Sequence, residues 1–215
     1  VEESKAAQKA LLDRLDAVIA VNKVLNADED NMATVLTAQS FENVKEGLNE
    51  KYFAAILGDD GFEEGTRVTV ADIQAVIDQV NAEHVSYLIG EVVAAAEAEA
   101  LDTNALYAAL TKLKTFVGAT VWSDDAASIS SDEENLKQYG EAIKEQQPTT
   151  VEEIIAILVE ANTVDEINKA TNAKDLVEII WDLKVAEFIN LADEDARKDV
   201  AGAVMAPEKP YKSTA

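Results

Sequence analysis

Thr69-Val70-Ala71-Asp72-Ile73-Gln74-Ala75-Val76-Ile77-Asp78-Gln79-Val80-Asn81 recurs further along the chain as Thr150-Val151-Glu152-Glu153-Ile154-Ile155-Ala156-Ile157-Leu158-Val159-Glu160-Ala161-Asn162. Thr, Val, Ile, Ala and Asn coincide in register, and apolar character matches at other positions. Each stretch opens on a Thr that stands three residues before an acid. The hydroxyl can accept from an orphan amide while the carboxylate reaches back, as in a helix-starting capping box. Behind each Thr the apolar residues step by four and three, the period of a helix with one buried face. A recurring helix start of this kind is the mark of a repeat-built, all-α chain.

Working outward, the segment from Val70 to about Ala100 has no proline and a single glycine, Gly90. Read as one helix it would be about 45 Å long at 1.5 Å per residue. That outruns one small bundle, and its simplest use is to end one bundle and begin the next. Similar stripes run through Leu11, Leu15, Val18, Asn22 and Leu25, and through Leu106, Leu110, Leu113 and Val117. Val44, Leu48, Tyr52 and Ile56 step by four, and Leu176, Ile180 and Leu183 continue the pattern. Further starts are expected at Ser131 with Glu134 and at Thr163 with Glu166, with Asp28, Thr103 and Asn172 as additional caps. A second echo sets Asp28-Glu29-Asp30-Asn31-Met32 beside Thr163-Val164-Asp165-Glu166-Ile167. Loops are expected at 58–68, 118–131 and 206–214. Pro148, Pro207 and Pro210 all fall between helical stretches. The expected architecture is serial three-helix bundles joined by long shared helices into an elongated rod. Its units are 1–80, 70–160 (sharing the long helix after Thr69) and 150–215, the last one truncated.

Charge narrows the function classes. Against 18 Lys and Arg stand 42 Asp and Glu, for a net charge of −24. Such a surface repels phosphate backbones and anionic lipid heads, so nucleic-acid and membrane binding are set aside. Most of the acids read as solvated helix faces. Cysteine is absent, which removes disulfides, thiolate zinc sites and thiol nucleophiles. No apolar run approaches the ~20 residues of a membrane span. The chain opens inside a helix at Val1-Glu2-Glu3-Ser4 and stops at Tyr211-Lys212-Ser213-Thr214-Ala215, so a piece of a longer polypeptide is expected.

Two segments resemble the helical repeats of Gram-positive surface-layer and related cell-wall-associated proteins. They are Thr69 to Asp78, quoted above, and Ile167-Asn168-Lys169-Ala170-Thr171-Asn172-Ala173-Lys174-Asp175-Leu176. Arg197-Lys198-Asp199-Val200-Ala201-Gly202-Ala203-Val204-Met205, followed by Pro210-Tyr211, is similar to the middle and turn of such a repeat. The resemblance is poor over 118–147. It implies three-helix bundles on continuous helices, forming a rod at the extracellular cell surface, and it carries over no catalytic residue.

Candidate chemistry is sparse. Asp59-Asp60-Gly61-Phe62-Glu63-Glu64-Gly65-Thr66-Arg67-Val68-Thr69-Val70 looks superficially like an EF-hand loop. With Gly65 at the sixth position, however, Phe62 falls where an oxygen ligand belongs and Ala71 where the bidentate acid belongs. Asp124, Asp125 and Asp132 form a second acidic loop, while Asp28, Glu29 and Asp30 read as helix-start charge. Weakly bound calcium is the one cofactor these loops suggest; no metal, cofactor or catalytic residue is assigned. His84, the sole histidine, reads as a helix-packing or surface residue, poorly placed for Ser-His-Asp chemistry on an uninterrupted helix. Trp181 reads as packing. Trp122 reads as folding back over its own bundle, with a contact role as the alternative. Two functions follow. The first is a non-enzymatic structural segment of a surface-layer protein, self-associating with neighbouring copies or with other domains. The second is a three-helix adhesin module for a host protein or a cell-wall polymer, with Trp122 and Tyr211 as the visible aromatic anchors.

Overall fold

The computed structural model describes residues 2–59, 61–63, 65–123, 127–169 and 176–177. Among them every regular element is helical, as the periodicity requires. The helices are α1 (Glu2–Val24), α2 (Met32–Ala38), α3 (Asn49–Leu57), α4 (Val70–Glu97), α5 (Thr103–Val117), α6 (Glu133–Gln146) and α7 (Val151–Lys169). Short 3-10 turns, Glu29–Asn31 and Glu46–Leu48, lead into α2 and α3. Packing divides the chain into two units, Val1–His84 and Val85–Ala215, with the division inside α4.

In the first unit α2 packs between α1 and α3. Met32, Leu36, Tyr52, Ile56, Ile73 and Ile77 are fully buried. The chain leaves α2 through a Schellman turn. Ser40 takes the left-handed conformation (φ 63°), the Phe41 amide donates to Leu36 O at 3.2 Å, and the Ser40 amide donates to Thr37 O at 3.0 Å. Phe41, buried, closes the turn. In the second unit α6 packs against α5 and α7. Its core joins Leu88, Ile89 and Val92 of α4 to Leu106, Leu110 and Leu113 of α5, with Tyr139, Ile143, Ile154 and Leu158 from α6 and α7. Gly140 sits within α6 because a Cβ there would stand 2.8 Å from Leu101 Cδ2.

Both boxes of the repeated motif form. Asp72 N donates to Thr69 Oγ1 (3.2 Å) and Thr69 N to Asp72 Oδ2 (2.8 Å). Glu153 N donates to Thr150 Oγ1 (3.2 Å) and Thr150 N to Glu153 Oε2 (3.1 Å). Three expected starts shift. Asp102, not Thr103, caps α5, and Asp132, not Ser131, caps α6. Each carboxylate accepts two first-turn amides, a charged acceptor outcompeting the neighbouring hydroxyl at a helix N-terminus. Thr163 begins nothing. It lies buried inside α7, where Val164 continues the apolar face and keeps the helix going. The second echo therefore does not hold in three dimensions, since Asp28 opens a 3-10 turn while Thr163 is mid-helix. The stripe of α1 also departs from expectation. Val21 and Val24 are buried, but Leu11, Leu15 and Val18 are exposed.

Candidate functional site

The two Asn residues that end the repeated motif build the same polar lock twice. In the first unit Tyr52 Oη donates to Asn81 Oδ1 (2.6 Å) and accepts from the Lys45 amide (3.0 Å). Asn81 Nδ2 donates to Asn43 O (2.9 Å). In the second unit Tyr139 Oη donates to Asn162 Oδ1, the Ser130 amide approaches Tyr139 Oη at 3.3 Å, and Asn162 Nδ2 donates to Ser128 O (2.9 Å). In both, one side-chain amide from the capped helix and one phenol from the helix before it grip a carbonyl and, two residues on, an N–H of the loop that leads into the phenol's helix. The phenol body fills the core while its hydroxyl meets the backbone, which is how a buried tyrosine keeps its polar atom satisfied. Burial raises both phenol pKa values above their ordinary 10.0, and the loop amide that each hydroxyl accepts partly offsets this.

Each lock has its own surroundings. Beside Asn81, Gln74 clasps the Glu42 peptide from both sides, accepting from its amide (2.9 Å) and donating to its carbonyl (3.2 Å). Lys51 donates to Nδ1 of His84 (2.9 Å), so that nitrogen acts as an acceptor and is engaged within the unit. Beside Asn162 lies an open polar cleft, lined by Ser130, Asn135, Asp165, Glu166 and Lys169 among others. Its charges pair internally. Lys169 Nζ stands 2.5 Å from Asp165 and 3.4 Å from Glu166, and Asn135 Nδ2 donates to Asp165 (3.2 Å). Asp165 is the leading cause that raises the Lys169 pKa. What this arrangement does chemically is hold the 128–130 loop and set one lysine between two carboxylates, whose charge it offsets by half.

The sequence-derived candidates lie as follows. Asp59 and Glu63 are described while Asp60 and Glu64 lie outside the described residues, as do Asp124, Asp125, Trp181 and Tyr211. Gly65 takes a positive φ of 84°, a turn glycine. Asp132 is consumed as the α6 cap, and Asp28 pairs reciprocally with Asn31 in a capping box. Among the described residues no group of three or more His, Cys, Asp or Glu stands ready to hold a metal ion. Likewise, no helix among them is long and apolar enough to cross a membrane. Trp122 is 3% exposed, with Nε1 donating to Ala127 O (2.9 Å) and Lys114 over its ring, so it belongs to the core. Among the described residues the exposed aromatics of the second unit are instead Tyr87 and Tyr107. Tyr87 and Lys112 converge on Glu91, with Oη to Oε1 at 2.8 Å and Nζ to Oε2 at 2.7 Å. Sequence reasoning passed over Tyr52 and Tyr139 as functional residues. The available signal was a Tyr four residues before an Ile, Tyr52 to Ile56 and Tyr139 to Ile143, ahead of each Asn-ending motif.

No protein-family model, curated protein or solved structure matches this chain.

Proposed function

We propose that this chain is a structural, non-catalytic segment of a cell-surface protein, in which repeated helical units space other domains and offer faces for assembly with neighbouring copies. The observation that carries this reading is the lock built twice: Tyr52 with Asn81, and Tyr139 with Asn162, each fastening a loop to a capped helix. Repeating a device that fastens a unit's own loop to its own helices favours a unit selected for being stacked, since arrays draw stability from each unit and its neighbours. The acidic balance of −24 supports an exposed, soluble surface and gives divalent cations a role as bridges between copies. The resemblance to surface-layer repeats points to the same extracellular setting.

Small-angle X-ray scattering tests the spacer role. A compact domain of 215 residues has a radius of gyration of about 17 Å. The proposal expects a value well above it, and an apparent mass that rises with millimolar calcium and falls with chelator. A value at the compact figure, indifferent to calcium, would remove both the spacer and the cation-bridged assembly.

The adhesin reading keeps one specific support, the exposed Tyr87 and Tyr107 on the second unit, since exposed tyrosines suit contact surfaces. Its test is retention on immobilised cell-wall polymer or matrix protein that is lost in Tyr87→Ala and Tyr107→Ala.

A further inference from the structure

Around the two locks, one pair of matching positions differs in kind. Four residues before the lock tyrosine stand Leu48 in the first unit and Asn135 in the second, and both are buried, at 5% and 7% exposure. Three residues after the lock asparagine stand His84 and Asp165. An apolar side chain therefore serves the fold at the first of these places. An amide there carries a desolvation cost that packing does not require. Asn135 also uses only half of that amide. Its Nδ2 donates to Asp165 Oδ2 (3.2 Å), and Lys169 Nζ meets the same Asp165 oxygen (2.5 Å). Among the described residues no donor reaches Asn135 Oδ1 or Asp165 Oδ1, although the Asp165 side chain is only 18% exposed. Buried acceptors of this kind are the exception in folded proteins and call for a partner.

Both residues line the open cleft beside the second lock, which holds about 300 Å³. That is the small end of ligand pockets, a size for one extended side chain. Asp165 and Glu166 face a single lysine there, so the cleft is net negative and disfavours an anion. A cation without N–H groups would leave the two oxygens unmet. We infer that the cleft receives a primary ammonium or guanidinium group from a basic segment of a partner protein, with Lys169 as the chain's own stand-in for it. Lys169 ends α7 and its side chain is 61% exposed, so it can swing aside. The incoming N–H groups then donate to Asn135 Oδ1 and Asp165 Oδ1, charge-assisted bonds of the stronger class. A chain carrying −24 draws basic partners toward it. The inference holds whether or not copies of the chain assemble, so it stands apart from the spacer reading.

Titration of the full chain, followed through the backbone amide NMR signals of Asp165 and Glu166, tests it. The probes are the capped tripeptides glycyl-lysyl-glycine and glycyl-arginyl-glycine, with n-butylammonium and tetramethylammonium beside them. Both tripeptides should bind saturably, and tetramethylammonium, a charge without a donor, should not. Lys169→Met removes the built-in competitor and should tighten binding about threefold or more. Asn135→Leu and Asp165→Asn should each weaken it at least about tenfold. Asn135→Leu should keep the fold, as Leu48 does at the matching position, and an undiminished melting temperature checks this. Should it unfold, Asp165→Asn and Lys169→Met still decide. Equal responses to tetramethylammonium that survive Asp165→Asn would reduce the binding to diffuse attraction by the acidic surface and overturn the site. Unmoved signals with every probe would leave the cleft to water and overturn it too. Butylammonium binding more tightly than the tripeptides would overturn the protein partner in favour of a free amine. An unchanged affinity in Lys169→Met would overturn the role of Lys169 as a stand-in.

Discussion

The two units hold their loops with one polar device but fill the space around it differently. In the first, the loop after α2 is short, turns on Ser40, and is clasped along α4 by Gln74 and Asn81. In the second, the loop after α5 carries Trp122 and Ala127 into the core, and the residue in register with Gln74 is the apolar Ile155. Polar clasping has been exchanged for apolar plugging while the Tyr–Asn lock stays. The lesson is about which parts of a repeat are free to vary. A phenol and an amide that satisfy two backbone groups are expensive to change singly, because each loss strands a partner. Apolar covering is interchangeable so long as the volume is filled.

The comparison breaks first at the core. Ile56 and Ile143 each follow the lock tyrosine by four residues and are fully buried. Ile56→Ala and Ile143→Ala should each cost about 2–5 kcal/mol through lost burial and the cavity left behind. Hydrogen exchange read helix by helix shows how far each effect spreads. Independent units would lose protection only on the mutated side. Loss on both sides after either substitution would mean that α4 couples them into one cooperative fold.

The locks come next. Asn81→Ala leaves Tyr52 Oη without its acceptor and Asn43 O without that side-chain donor, whereas Asn162→Ala leaves Tyr139 Oη and Ser128 O only their long mutual contact of 3.5 Å. A cost of roughly 1–3 kcal/mol is expected for each, in urea titrations with an unchanged slope. Gln74 still clasps the first loop, so Asn81→Ala should be the milder. The reverse order would show that Trp122, not the lock, secures the second loop. The tyrosines add a pH signature. Both phenols are raised above 10.0 when folded, so the unfolded chain ionises first. Their contribution is complete below pH 10 and is lost as pH rises through the folded values. Tyr52→Phe with Tyr139→Phe should flatten the alkaline end of the stability profile; an unchanged alkaline limb would mean that the phenols are not what unfolds the chain there.

Much of the scaffold was legible because it is written in local spacing. The helical period, the boxes at Thr69 and Thr150, and the proline-free run across α4 are each decided within a turn or two of chain. What escaped depends on contacts between distant residues. That Tyr52 and Tyr139 are lock residues follows only from where Asn81 and Asn162 meet them in space, although the coincidence of the two Asn was visible. The exposure of Leu11, Leu15 and Val18 was illegible for the same reason. Periodicity says that a helix has an apolar face, but only the length of α2 says whether anything covers it. Trp122, read from sequence as folding back over its own bundle, does so, and its Nε1 donates to Ala127 O.

The smallest expected effect sharpens the comparison at the helix starts. Asp72 answers Thr69 alone, through its amide and hydroxyl. Glu153, one methylene longer, also reaches the Thr149 amide (2.6 Å) and hydroxyl (3.2 Å). These bonds hold both carboxyls below the ordinary carboxylate range, Asp72 chiefly through the Thr69 hydroxyl and Glu153 chiefly through the Thr149 amide. A lowered folded value stabilises above the unfolded pKa and is lost as pH falls through the folded one, so both boxes weaken in acid. Removing the hydroxyl separates them. Thr69→Ala should lower the melting temperature by roughly 2–6 °C, as for a lost N-cap. Thr150→Ala should do less, because Glu153 keeps the backbone amides of residues 149 and 150 on the carboxylate. Equal losses would mean that the hydroxyl, rather than the carboxylate's second reach, sets the strength of the box, and that the repeated motif starts its two helices in the same way.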